Sequence, residues 1–189
     1  AIVRGYLDGS AWEEYQKSGE ISGFSLPSGM KKGERLPMPL FTPTTKAPLG
    51  EKDVRLNFEE TKKLMGKELA EKVRKKSEEL FSYGESFFKT IGIDLIDTKF
   101  EFAMEDGELI LIDEVLTPDS SRFKISKENE TGLNAGYYDK QIVRDVLTNG
   151  KKDNHQPLME LSPNVVRIVC NSYRKICEKV CNYRFPTIG

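Results

Sequence analysis

Between residues 95 and 122 the chain concentrates charged and hydroxyl side chains. Lys99 and Glu101 stand two apart in the stretch LIDTKFEF, residues 95–102. Asp113 and Glu114 close an apolar run, and Asp119, Ser120, Ser121 and Arg122 follow a Thr117-Pro118 turn. Two carboxylates near a lysine suit a Mg²⁺–phosphate site, because Mg²⁺ takes one or two carboxylates and fills its shell with phosphate oxygens. Lysine offers phosphate a point charge, and arginine a planar fork. A surface ion-pair network would use the same residues.

The elements that must position these groups are two strands, 93–104 and 108–116, joined at Glu105-Asp106-Gly107. Alternation places Asp97, Lys99 and Glu101 on one face of the first strand and Ile96, Phe100 and Phe102 on the other. The register of the hairpin decides which carboxylate joins the cluster. A two-residue Asp106-Gly107 turn sets Glu114 opposite Lys99. A three-residue turn sets Asp113 there, diagonal to Glu101. In both cases a lysine and two carboxylates meet at the open end of the hairpin. A second anion site is suggested near the start of the chain. There Arg4 precedes the Asp8-Gly9 turn, and Ser10 is placed to cap a helix over Ala11 to Ser18 that Gly19 closes. An ordinary helix cap explains the same pattern.

The rest of the chain supplies packing. Residues 1–7 read as a strand. Residues 20–55 are rich in Pro and Gly and read as a long irregular loop, with Leu36, Leu40 and Phe41 packing on a neighbour. Leu64, Leu69, Val73, Leu80, Phe87 and Phe88 recur near helical spacing, which predicts one helix over 59–92. A polar loop is expected over 117–136, then helices over about 137–149 and 162–182, the second opened by Ser162-Pro163.

Several function classes are excluded or disfavoured. With 29 basic and 30 acidic residues among 189, the charge balance calls for neither nucleic acid nor a membrane surface. No apolar run approaches the ~20 residues of a membrane helix. Gly66-Lys67 is followed by Glu68 and lacks the upstream glycine of a P-loop. No G-x-S-x-G elbow is present. His155 is the only histidine and falls in a polar stretch read as an exposed loop, which argues against a zinc site. Cys170, Cys177 and Cys181 lie at i, i+7 and i+11, a stripe expected in a helix core, as reduced thiols of a cytoplasmic protein.

The segments LIDTKFEF and LIDEVLTPDSSRF resemble the paired signatures of the SAICAR synthetase family. IVRGYLDGSAWEEYQKSG, LPMPLFTPTTKAPLGEKD and YYDKQIVRDVL resemble further family segments in the same order, covering residue 1 to about 150. The resemblance implies an α+β, SAICAR synthase-like fold in which helices cover antiparallel strands. It implies an ATP- and Mg²⁺-dependent ligase that joins L-aspartate to 5-amino-4-carboxy-imidazole ribotide through a carboxyl phosphate, giving the succinocarboxamide, ADP and phosphate. Residue by residue, it assigns Mg²⁺ and the ATP phosphates to Glu101 and Asp113, which favours the three-residue turn. Lys99 is expected beside the nucleotide and Asp119 beside the ribotide, and these two are the catalytic candidates. Ser121 and Arg122 are expected to bind the ribotide, with Arg4 and Ser10 at its phosphate end. Lys46 and Asp53 belong to a substrate-side loop, and Lys140 of Asp139-Lys140-Gln141 lies near the site.

Two positions depart from the family pattern. Lys124 replaces the usual Trp after S-S-R-F, and Ala103 replaces the usual Gly after K-F-E-F. Family members also carry about another hundred residues at the N-terminus, with a glycine-rich nucleotide lobe. The expectation is therefore a single substrate- and metal-binding part, residues 1–189, of a longer enzyme. Its site would lie against that lobe, and the remaining partner would be the lobe itself or a second copy of the chain. Taken alone, it is expected to show little or no activity.

Overall fold

A computed structural model describes residues 1–48, 53–125, 138, 143, 161–182 and 184. The predicted helix over 137–149 and the loop holding His155 fall almost wholly outside these residues. The chain divides into two units, residues 1–84 with 96–115 and residues 85–95 with 116–189.

The first unit begins with β1 (Ile2–Tyr6), which pairs antiparallel with β4 (Arg35–Phe41) on one side and with β5 (Ile93–Lys99) on the other. Between β1 and β4 lie α1 (Gly9–Ser18) and the small hairpin β2 (Glu20–Ile21) and β3 (Phe24–Ser25). The N-cap of α1 is Asp8, whose carboxylate accepts from the Gly9 N–H at 2.5 Å, so the predicted Ser10 cap is corrected. Asp8 reaches the orphan N–H one residue earlier and leaves Ser10 inside the first turn. Gly19 ends the helix in the left-handed conformation, as expected.

The loop predicted over 20–55 contains three strands. β4 forms despite Pro37 and Pro39 because it is an edge strand, where a missing N–H costs no ladder bond. Its register against β1 shifts between Arg4 and Tyr6. Leu36, Leu40 and Phe41 are buried as expected, Leu36 and Leu40 in a core with Leu7, Ala11, Tyr15, Ile21 and Met30.

The single helix predicted over 59–92 is two, α2 (Phe58–Met65) and α3 (Lys67–Thr90). Gly66 separates them at φ 84°, ψ 151°, a conformation open in practice only to glycine. Asn57 and Glu60 form a reciprocal capping box at the start of α2.

The predicted strand over 93–104 is also divided. Phe100 interrupts it, so β5 stays in the large sheet while β6 (Glu101–Glu105) pairs only with β7 (Glu108–Ile112). Phe100 is fully buried, and its N–H donates to the Ala1 carbonyl at 2.8 Å.

In the first unit the strand order is β4-β1-β5. Residues 93–95 of β5 count with the second unit. That unit contains β8 (Ser121–Ile125), where a loop was expected, and α4 (Pro163–Cys181). In β8, Ser121, Phe123 and Ile125 share one face and are buried, and Arg122 on the other face is buried as well. Phe123 packs against Phe88 with ring centroids 4.6 Å apart and planes tilted by 51°. α4 starts at the predicted Ser162 cap with proline in its first turn.

The three cysteines of α4 are exposed, against the expectation of core packing. Val165, Ser172 and Ile176 have the same i, i+7, i+11 spacing and form the buried stripe. The cysteines lie five residues on, about 140° around the axis. A thiol reagent such as DTNB should therefore label all three in the native state. Cys177 should react slowest, since desolvation and then Cys181 push its pKa up and deplete the thiolate. Labelling that required denaturant would contradict the exposed stripe.

Candidate functional site

Three groups of side chains carry the predicted chemistry, two in the first unit and one in the second.

The first gathers at the end of β5 and the start of β6. Lys99 Nζ lies 2.5 Å from Glu101 Oε1, and Lys46 Nζ lies 2.9 Å from Glu101 Oε2. The Glu101 side chain is 17% exposed, against 83% for Lys46. The hydrogen bonds from Lys46 and then Lys99 hold the Glu101 carboxyl well below the usual range, at about 2, against the opposing effect of burial. Lys46 is raised in turn, first by its hydrogen bond to Glu101 and more weakly by the charges of Asp113 and Asp53.

Lys46 is presented by a pinned loop. Thr44 bridges to Arg55, the Thr45 N–H donates to the Val54 carbonyl at 2.8 Å, and the Val54 N–H donates to Thr45 Oγ1 at 2.9 Å. The Asp53 carboxylate accepts from the Ala47 N–H at 2.8 Å, so Asp53 fixes the backbone next to Lys46. Both residues were expected on the substrate side, and the loop places Lys46 on Glu101. A cavity of about 330 Å³ opens beside these charges, with Leu69, Val73, Phe102 and Leu109 among its apolar lining.

The hairpin register corrects the turn. Glu105 pairs with Glu108 and Glu101 with Ile112, so the turn has two residues. Asp106 and Gly107 both have positive φ, 50° and 83°, the combination that matches the strand twist in a tight hairpin. Continued regularly, this register would bring Glu114, not Asp113, opposite Lys99. The strand does not continue. β7 ends at Ile112, and Asp113 takes a left-handed φ of 66° that breaks the alternation. Asp113 still acts electrostatically on Lys46. Its place near the cluster thus comes from a backbone kink rather than from the turn length predicted.

The second group surrounds Arg4, which is buried. Its Nη1 donates to Asp97 Oδ2 at 2.7 Å, its Nε to Thr42 Oγ1 at 3.0 Å and its Nη2 to Ser10 Oγ at 3.5 Å. Arg4 and Ser10 are therefore brought together at the start of α1, as expected. Asp97 and Thr42 were not among the predicted site residues. The antiparallel pairing that sets Arg4 against Asp97 would have revealed the first of them.

The third group belongs to the second unit. Thr117 organises the turn: its N–H donates to Ser120 Oγ at 3.0 Å, and its carbonyl accepts from the Ser121 N–H at 2.9 Å. Ser120 and Ser121 hydroxyls lie 3.4 Å apart. Ser121 and Arg122 are buried at the head of β8, and Asp119 is exposed just before them. Lys140 lies outside the described residues.

The SAICAR synthetase family profile matches residues 1–160. The chain belongs to the SAICAR synthetase family. Phosphoribosylaminoimidazole-succinocarboxamide synthase of Neisseria meningitidis serogroup A is 45% identical over 176 residues, 93% of this chain and 61% of that protein. Among solved structures, the SAICAR synthase from Saccharomyces cerevisiae complexed with SAICAR has a TM-score of 0.79 at 35% identity, covering 98% of this chain and 60% of that one. A SAICAR synthetase in complex with ADP shares the fold with a TM-score of 0.69 at 20% identity, over 98% of this chain and 64% of that one. The α+β fold is that of the SAICAR synthases. The chain spans about three fifths of the length of the relatives it matches.

Among the described residues no three metal-ligating side chains form one cluster, and no helix is long and apolar enough to cross a membrane. A Mg²⁺ ion sharing its shell with phosphate asks for less than three, and here the donor chemistry fits. Glu101 is held ionised, hence with acceptors only, and the Asp113 charge is felt within the same cluster.

Proposed function

We propose that this chain serves an ATP-dependent carbon–nitrogen ligase. It would join L-aspartate to 5-amino-4-carboxy-imidazole ribotide in purine biosynthesis, in the cytoplasm, where its thiols stay reduced. The observation that carries this reading is the Glu101 carboxylate held between two lysine ammonium groups beside a cavity. Glu101 and Asp113 would hold Mg²⁺, which when bound supplies charge neutralisation for the nucleotide phosphates.

Lys99 and Lys46 then have a second task. With a cation present, their ammonium groups are positioned to turn from Glu101 toward phosphate oxygens and offset the charge of a phosphoryl group in flight. Arg4 and Ser10 form an anion site at the N-terminal pole of α1, suited to the ribotide phosphate. By family pattern Arg122 and Ser121 are assigned to the ribotide, with Asp119 beside them. Lys140 is assigned near the site, on the substrate side, by family pattern alone. The yeast relative's complex with SAICAR supports a ribotide-type ligand, and the relative bound to ADP supports a nucleotide.

Titration with the carboxylated ribotide, followed by amide and arginine side-chain NMR, tests the reading. Saturable shifts at Arg4, Ser10 and Arg122 are expected, and Mg²⁺–ADP should then shift Lys99, Glu101 and Asp113. A chain that binds neither ligand would overturn it.

A further inference from the structure

Arg4 lies on the strand between β4 and β5, and its guanidinium is held from both sides. On β5, Asp97 is its direct cross-strand partner and accepts from Nη1 at 2.7 Å. Just beyond β4, Thr42 accepts from Nε at 3.0 Å, while its own hydroxyl donates to the Ile2 carbonyl at 3.3 Å. The Thr42 N–H donates to the same carbonyl at 2.8 Å, which fixes Thr42 in turn. Arg4, Thr42 and Asp97 are 6%, 3% and 7% exposed.

Stability gives a poor reason for such a set. A buried ion pair loses much of its attraction to desolvation, and apolar residues of similar volume often fill the same space as well or better. What the arrangement does provide is orientation. Arginine is long and flexible, and its planar fork is useful to an anion only when its plane is fixed. With Nη1 and Nε both anchored, the plane is set and Nη2 is directed at Ser10 on the first turn of α1.

We propose that Asp97, assisted by Thr42, is a positioning residue that fixes the Arg4 guanidinium for the phosphate of the ribotide. Asp97 touches no substrate in this role. It acts through Arg4, and it gives the site a preference for ribotide over the corresponding riboside. The inference rests on the reading that Arg4 and Ser10 receive that phosphate.

The test measures dissociation constants for 5-amino-4-carboxy-imidazole ribotide and for its dephosphorylated riboside by calorimetry. The proteins compared are the parent chain, Asp97→Asn, Thr42→Val, Arg4→Ala and the Arg4→Ala/Asp97→Asn double variant. Asp97→Asn keeps the shape and removes the charge. It should weaken ribotide binding at least tenfold and leave riboside binding unchanged. Thr42→Val keeps the ion pair and should weaken ribotide binding several-fold. The double variant should bind ribotide no worse than Arg4→Ala alone.

An unchanged ribotide constant in Asp97→Asn, or an equal loss for ribotide and riboside, overturns the proposal. If Asp97→Asn does not fold, Thr42→Val decides: an unaltered ribotide constant there overturns it too. If Arg4→Ala leaves the ribotide–riboside difference intact, the phosphate reading itself fails, and the role of Asp97 falls with it. The Arg4→Ala measurement thus separates the two failures.

Discussion

Glu101→Gln should lower the affinity of the chain for Mg²⁺–ADP by about 10–100-fold or more, the scale on which supporting changes at metal sites act, while the fold stays intact. The change keeps the shape and removes the charge on which Lys46 and Lys99 converge. Calorimetric titration with and without Mg²⁺ is the check, and near-parent affinity for Mg²⁺–ADP would remove Glu101 from the metal site. The same carboxylate has a pH signature. Its folded pKa is lowered to about 2 from an ordinary value of 4.5. Its contribution to stability is therefore fully present above about pH 4.5 and is lost as the pH falls toward 2. Carboxyl NMR should find Glu101 titrating near the bottom of the acid range. Lys46→Ala with Lys99→Ala should return it toward the usual range; a titration already ordinary in the parent chain would mean that the two lysines do not hold it.

Phe123→Ala should destabilise the second unit by about 3–5 kcal/mol, the cost of deleting a buried aromatic ring without refilling its space. Phe123 is fully buried against Phe88, and its carbonyl accepts from the Tyr138 N–H at 3.0 Å. Against a net stability of about 5–15 kcal/mol for a whole domain, such a loss removes a third or more of the margin in most of that range and all of it at the lower end. Ser121 and Arg122 share β8 with Phe123, so ribotide shifts at Arg122 should weaken with it although Phe123 carries no polar side chain. Urea denaturation measures the effect. A loss below about 1 kcal/mol would show that the ring is not part of the core holding β8, since large aromatic deletions in a core cost several times more.

Much of this arrangement was legible where local chemistry decides it. Ser162 with Pro163, Gly19 and the Asp106-Gly107 hairpin each carry their own signal, and the structure uses each where it was expected. The gathering of Lys99 with Glu101 and of Arg4 with Ser10 was also anticipated. Other features depend on partners that local patterns do not reveal. The cysteine stripe and the Val165, Ser172, Ile176 stripe have identical spacing, and only the neighbours of α4 select between them. β4 required its edge position before two prolines could be tolerated. Asp97 reads as part of a charged strand face until β1 lies alongside and Arg4 meets it. The turn length is not legible from the place of Asp113, because the chain departs from regular strand pairing at that residue.

That departure limits how Asp113 can be replaced. At φ 66° a side chain crowds its own backbone, a strain of roughly 1–2 kcal/mol that asparagine and aspartate bear better than other non-glycine residues. Alanine at 113 would alter charge and backbone preference together, and valine would add a branched side chain where it fits worst. Asparagine keeps both the kink and the shape of the side chain while deleting the charge. In a library screened only for folding, aspartate, asparagine and glycine should already be enriched at this position. Abundance of aspartate there is thus no measure of catalysis until it is set against asparagine.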